Sequence, residues 1–115
     1  ASWREAGYEV ALSVGVSDLP PAVSLTCFRV VEEALTNVAR HSEARIARVD
    51  VSGEGDEVRI VVEDPGPPRA ASSTDGGRGL VGMAERVALF GGRLATGPCD
   101  GGGFAVRAAI PVGTS

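Results

Sequence analysis

Strands that come in adjacent pairs, separated by single helices, predict a two-layer α/β sandwich built on a mixed sheet. Three observations carry that expectation. Short β-branched or alternating runs are paired around glycine-containing turns, at residues 46–52 with 58–62 and at 93–96 with 104–110. Two other stretches, about 22–41 and about 80–90, space their apolar residues at helical intervals. The 115 residues suffice for one domain with a real core and not for two, and no segment repeats.

Taken in order, residues 8–14 alternate well enough for a first strand. Ser17, Asp18, Leu19, Pro20 and Pro21 end it; Asp18 can cap a helix start, and a proline in the first helical turn costs little. In the helix that follows, Leu25, Phe28, Val31, Leu35 and Val38 mark the face expected to be buried. Gly53, Glu54, Gly55 and Asp56 signal the turn of the first hairpin. Residues 65–77 are rich in Pro, Ser, Ala and Gly and read as a mobile loop. The second helix closes on Gly91 and Gly92 as its C-cap. The last hairpin turns through Asp100, Gly101, Gly102 and Gly103.

Composition narrows the function. An apolar fraction of 43% is ordinary for a globular chain, while aromatics at 4% leave the core to Val, Leu, Ile and Ala. With a net charge of −4 and no basic block, neither nucleic acid nor an anionic membrane is expected as a partner. A polyanionic ligand must then be held by backbone amides, a metal ion and a few arginines. All eleven cations are Arg and none is Lys, which excludes a P-loop lysine and Schiff-base chemistry. Cys27 and Cys99 lack CxxC spacing and His41 is the single histidine, so a zinc site is not expected. Cys27 reads as a small core residue and Cys99 as a loop thiol, as in a reducing cytoplasm. No uncharged apolar run approaches the ~20 residues that span a bilayer, and the first residues do not resemble a signal peptide. A cytoplasmic domain is expected, any membrane anchor of a longer parent lying outside this sequence.

Three features carry chemistry. Glu33, Asn37 and His41 follow at steps of four on the first helix. Each step turns about 400°, so they form one slanted polar stripe. Glu33 falls roughly opposite Val31, on the face expected to lie away from the core. Carboxylate, amide oxygen and imidazole in a row suit Mg²⁺ beside phosphate, although taken alone the stripe is better read as a solvated helix face. Asp64, Pro65 and Gly66 stand where a strand ends. They suit hydrogen bonding to the amino group of an adenine ring that glycine lets approach, although in isolation they are better read as a simple turn. Glycines at 76, 77, 79 and 82 run into the second helix, whose N-terminus attracts phosphate. The GxGxxG from Gly77 to Gly82 is not the dinucleotide-fold fingerprint, because a polar loop and not a strand precedes it.

In this order and spacing the three together resemble the ATP-binding domain of bacterial sensor histidine kinases. Residues 33–41 look like its N box, Asp64-Pro65-Gly66 like its G1 box, and residues 77–86, reading GRGLVGMAER, like its G2 box. That last stretch, with Gly91-Gly92 after it, is most similar to the NarL-partner (DesK-like) subgroup. The resemblance spans residues 7–111 and implies the Bergerat (GHKL) fold, a mixed sheet packed on helices with ATP beneath a lid.

Carried over position by position, the resemblance implies that Asn37 coordinates Mg²⁺, that Glu33 orients water or metal as the catalytic acidic residue, and that His41 faces the phosphates. Asp64, with Gly66, would hold the adenine amino group, and Gly77, Arg78, Gly79 and Leu80 would close on the phosphates. Arg86 is a further candidate. Residues 69–76 would be a short lid. Two departures stand out. Pro68 replaces the second glycine of the usual Asp-x-Gly-x-Gly, stiffening the hinge. His41 belongs to the N box, so no phosphoacceptor histidine is present, and the chain is expected to be a fragment lacking the dimerisation and phosphoacceptor domain. The expected ligands are ATP and Mg²⁺. The expected partners are that missing domain and, indirectly, a response regulator. Two alternatives remain open: an anti-sigma-factor-type serine kinase of the same fold, and a degenerate interaction module that no longer binds ATP.

Overall fold

The computed structural model describes residues 7–16, 18–42, 45–66, 76–98 and 103–112, and side chains for all of these but 41 and 76–80. Among the described residues the elements follow the expected order: β1 (Glu9–Gly15), α1 (Pro21–His41), β2 (Ile46–Glu54), β3 (Glu57–Asp64), α2 (Gly76–Ala88), β4 (Arg93–Pro98) and β5 (Phe104–Pro111). The strands form one sheet in the order β1-β2-β3-β5-β4. β1 runs parallel to β2 and every other pairing is antiparallel, so the sheet is mixed as expected.

Alternation along the strands decides where the core sits. Ala47, Val49 and Val51, then Val58, Ile60 and Val62, then Val106, Ala108 and Ile110 are buried on the helix side. Val23, Cys27, Val30, Ala34 and Leu35 of α1 and Met83 and Val87 of α2 complete the cluster. Burying one such aliphatic side chain is worth about 1.5–3 kcal/mol. The opposite face of the sheet carries charges paired across strands, Arg48 and Arg107 on Glu63, Arg59 on Glu54 and Arg93 on Glu57, and one pair within β3, Arg59 on Glu57.

The long helix buries part of the expected face, Leu35 and Val38, with Val31 packed against the core, but not the N-terminal part of that face. Val23, Cys27, Val30 and Ala34 face the sheet, while Leu25 and Phe28 are 53% and 57% exposed. Both stripes have helical spacing, so periodicity does not choose between them; the smaller side chains let the helix pack closer. The polar stripe moves with this rotation. Glu33, which the spacing put on the far face, is half-buried at the rim of the core, and Asn37 is buried.

Helix ends supply two more corrections. Asp18 does not cap α1: Pro20 is the N-cap, without a side-chain bond, and its carbonyl accepts from the Ser24 N–H at 2.9 Å. Asp18 lies two residues too early and takes φ 60°. The start of α2 falls at Gly76, four residues ahead of the expected Leu80, so Gly77 and Gly79 lie within its first turn. Its end matches expectation. The Gly91 N–H donates to Ala88 O and the Gly92 N–H to Val87 O, the paired bonds of a Schellman cap.

Candidate functional site

The same alternation that buries Val58, Ile60 and Val62 carries Asp64, the last residue of β3, onto the helix side of the sheet. A carboxylate there needs donors, and two are present. The Ser42 hydroxyl donates to Asp64 Oδ1 at 2.8 Å, a bond buried between the end of α1 and the end of β3. The Gly66 N–H donates to the same oxygen at 2.8 Å. This second bond is an Asx turn, and Gly66 serves it at φ 71°, a conformation that costs other residues. Glycine at this position is therefore explained by the turn itself.

A third group braces the aspartate from the sheet side. Gly103, just ahead of β5, is buried, and a Cβ there would run into the Asp64 carbonyl oxygen. Neither Ser42 nor Gly103 stands out in the sequence as part of a site. The only local signals are the serine directly after His41 and the last of three consecutive glycines.

Asn37 is the opposite case. It is 7% exposed, and neither its amide nitrogen nor its amide oxygen has a hydrogen-bond partner among the described residues. Leaving a buried polar group unsatisfied costs about 1–3 kcal/mol, so such an amide fits a site that a polar ligand completes. Glu33, one turn earlier, is half-buried on the same rim. The two can hold a cation by oxygen. Among the described residues no three His, Cys, Asp or Glu side chains gather, so a metal here would take its further oxygens from a bound ligand or water.

The G2 segment contributes backbone. Gly77, Arg78, Gly79 and Leu80 lie in the first turns of α2, where the first four amides of a helix lack intrahelical acceptors. Phosphate is attracted to such a helix end. The side chains of His41, Arg78 and Leu80 lie outside the described residues, as do Pro68 and the expected lid apart from Gly76, the first residue of α2. Arg86 is half-buried in the last turn of α2.

A cavity of about 630 Å³ is lined by Asp64 together with Arg48, Glu63 and Arg107 of the open sheet face, Pro65 and Pro98. It includes neither Glu33 nor Asn37, and on the open face Glu63 already pairs with both Arg48 and Arg107. The unsatisfied amide is the better guide to the site, because it marks a missing partner and not merely space. Elsewhere, Cys27 is buried and free as expected, and burial pushes its thiol pKa up.

Comparison with known proteins places this geometry. Residues 22–114 match the family model described as histidine kinase-, DNA gyrase B- and HSP90-like ATPase. The chain is 33% identical to the sensor histidine kinase YxjM of Bacillus subtilis over 97% of its own length and 28% of that protein's. It is 42% identical to the sensor histidine kinase DesK of the same organism over 56% of its length and 18% of DesK's. The chain thus spans 28% of one of these relatives and 18% of the other. The blue-light activated histidine kinase EL346 of Erythrobacter litoralis superposes with a TM-score of 0.73 at 23% identity, covering 91% of this chain and 38% of that one, and shows the fold alone. With a mixed sheet on two helices, a buried aspartate closing β3 and an unsatisfied asparagine on α1, the chain belongs to the histidine kinase-, DNA gyrase B- and HSP90-like ATPase family, as an ATP-binding domain of the sensor histidine kinase kind.

Proposed function

We propose that this chain is the catalytic unit of a two-component sensor histidine kinase, binding Mg-ATP and presenting its γ-phosphate to a histidine on a separate dimerising domain. The observation that carries the reading is Asn37, a buried amide with neither polar atom partnered among the described residues, on the helix that ends at the aspartate's hydroxyl donor. Asn37 would hold Mg²⁺ through its amide oxygen, and Glu33 would orient a water or the metal. Bound Mg²⁺ supplies charge neutralisation at the phosphates. Asp64 would accept a hydrogen bond from the adenine amine, in the Asx turn that Gly66 permits. Gly77, Arg78, Gly79 and Leu80 at the start of α2, together with His41, would border the phosphates. Phosphoryl transfer asks chiefly for positioning and electrostatic neutralisation, and these residues offer both.

On this reading the acceptor histidine and the dimerising domain would lie in the part of the kinase that this chain, at 28% of the length of YxjM, does not span, and the response regulator would be a separate protein. Alone, the chain should bind nucleotide and not label itself. The test is calorimetric titration of ATP, with and without Mg²⁺, into the chain and into Asp64→Asn and Asn37→Ala. Saturable binding is expected, weakened by Asp64→Asn and stripped of its Mg²⁺ dependence by Asn37→Ala. No binding at millimolar ATP would remove the reading.

A further inference from the structure

Ser42 has a place in this site that goes beyond capping a helix. The residue leaves α1 in an extended conformation, φ −120° and ψ 145°, while its N–H still donates to Val38 O. That exit carries its side chain to Asp64, where it forms a buried side-chain bond across 22 residues of sequence. The terminal torsion of an aspartate is broad and roughly two-fold, so one local donor holds the carboxylate plane softly. Gly66 N–H is such a donor, two residues away. Ser42 adds a second, from another element, to the same Oδ1. With both donors on Oδ1, the remaining acceptor capacity of the carboxylate lies mainly on Oδ2.

We propose that Ser42 is a positioning residue that fixes the Asp64 carboxylate so that Oδ2 is offered to the exocyclic amine of adenine, and that it thereby sets the purine specificity of the site. This inference rests on the nucleotide reading above. Adenine presents an amine donor at its 6-position. Inosine presents a carbonyl there, which a fixed carboxylate repels. A carboxylate free to turn discriminates less, because it can swing away from the carbonyl and meets the amine less squarely.

The experiment measures ATP and inosine triphosphate affinities, in Mg²⁺, for the chain, for Ser42→Ala and for Ser42→Thr. A hydrogen bond to a charged group justifies an expected fall of about tenfold in the ATP-over-ITP ratio for Ser42→Ala. Ser42→Thr, which keeps the hydroxyl, should retain the ratio. A role in packing alone would weaken both nucleotides alike and leave the ratio unchanged, and that result overturns the proposal. In an Asp64→Asn background, Ser42→Ala should change the ratio no further; an additional loss there also overturns it. Should Ser42→Ala fail to fold, Ser42→Cys, a weaker donor of similar size, answers to the same criterion. Failure of the underlying nucleotide reading looks different, because the unsubstituted chain would then bind neither nucleotide.

Discussion

Asp64 and Asn37 are almost equally buried, at 5% and 7% exposure, yet the fold treats them in opposite ways. Asp64 is secured from three directions: a hydroxyl from the end of α1, a backbone amide from its own turn, and the close approach of Gly103. Asn37, five residues before Ser42 on α1 and so about 7.5 Å back along its axis, has no partner among the described residues. One group is organised by the chain itself, and the other, on the proposed reading, is left for a ligand to organise. The physics behind the contrast is the high cost of an unmade buried hydrogen bond. A carboxylate left alone there would be costlier than an amide, because charge is harder to desolvate. A protein that must keep one polar group waiting does better to leave the neutral one.

The largest effect should come from breaking the secured side. In Gly103→Ala the new Cβ meets backbone and not a flexible side-chain tip, so the collision with the Asp64 carbonyl has no cheap relief. Overpacking of that kind costs about 3 kcal/mol, at the upper end of what a single methyl inflicts. Denaturant unfolding measures it, and a variant as stable as the parent would show that the strand end yields.

A smaller effect of opposite sign should mark the waiting side. Asn37→Leu replaces an unsatisfied amide with an apolar group of similar size, so the ligand-free chain should gain about 1 kcal/mol. Thermal melts should rise by about 4 °C while nucleotide binding loses its Mg²⁺ dependence. A drop in stability would mean that Asn37 is already satisfied in the free chain, and the comparison would collapse.

The smallest effect belongs to a carboxylate that is neither buried nor waiting. Glu57 on the open face has its pKa lowered below 4.5, first by the Arg93 hydrogen bond at 2.9 Å and then by the charges of Arg93 and Arg59. A depressed folded pKa means that the stabilisation is present above the unfolded value and is lost as pH falls through the folded one. Between about pH 5 and 3, melts of Arg93→Ala should therefore fall less steeply than those of the parent, by a margin that about 1 M salt erases. An equal slope in both would show that solvent already screens the pair.

Much of the fold was legible because its determinants are local. Strand alternation in residues 58–62 marks the buried face by a period of two, and the Gly91-Gly92 cap follows from which residue tolerates a left-handed turn. The candidate site was legible where spacing on one element suffices: Glu33 and Asn37 do share the rim of α1, and Asp64 does close a strand. The reading missed where two local patterns were equally good. Leu25 and Phe28 have the same helical spacing as Val23, Cys27 and Val30, and only the sheet beneath chose the smaller set. That choice turned Asn37 inward, and with it changed a surface amide into an orphaned one.

By itself, the sequence determined the order of elements, the alternation that buries one face of the sheet, and the residue types of the three motifs. These follow from periodicity and backbone preference within a few neighbouring residues. Tertiary structure alone decided that β5 lies between β3 and β4, that Ser42 reaches Asp64, and that Gly103 has no room for a side chain. Each joins groups far apart along the chain. Whether such groups meet depends on how whole elements pack, and no local spacing encodes that.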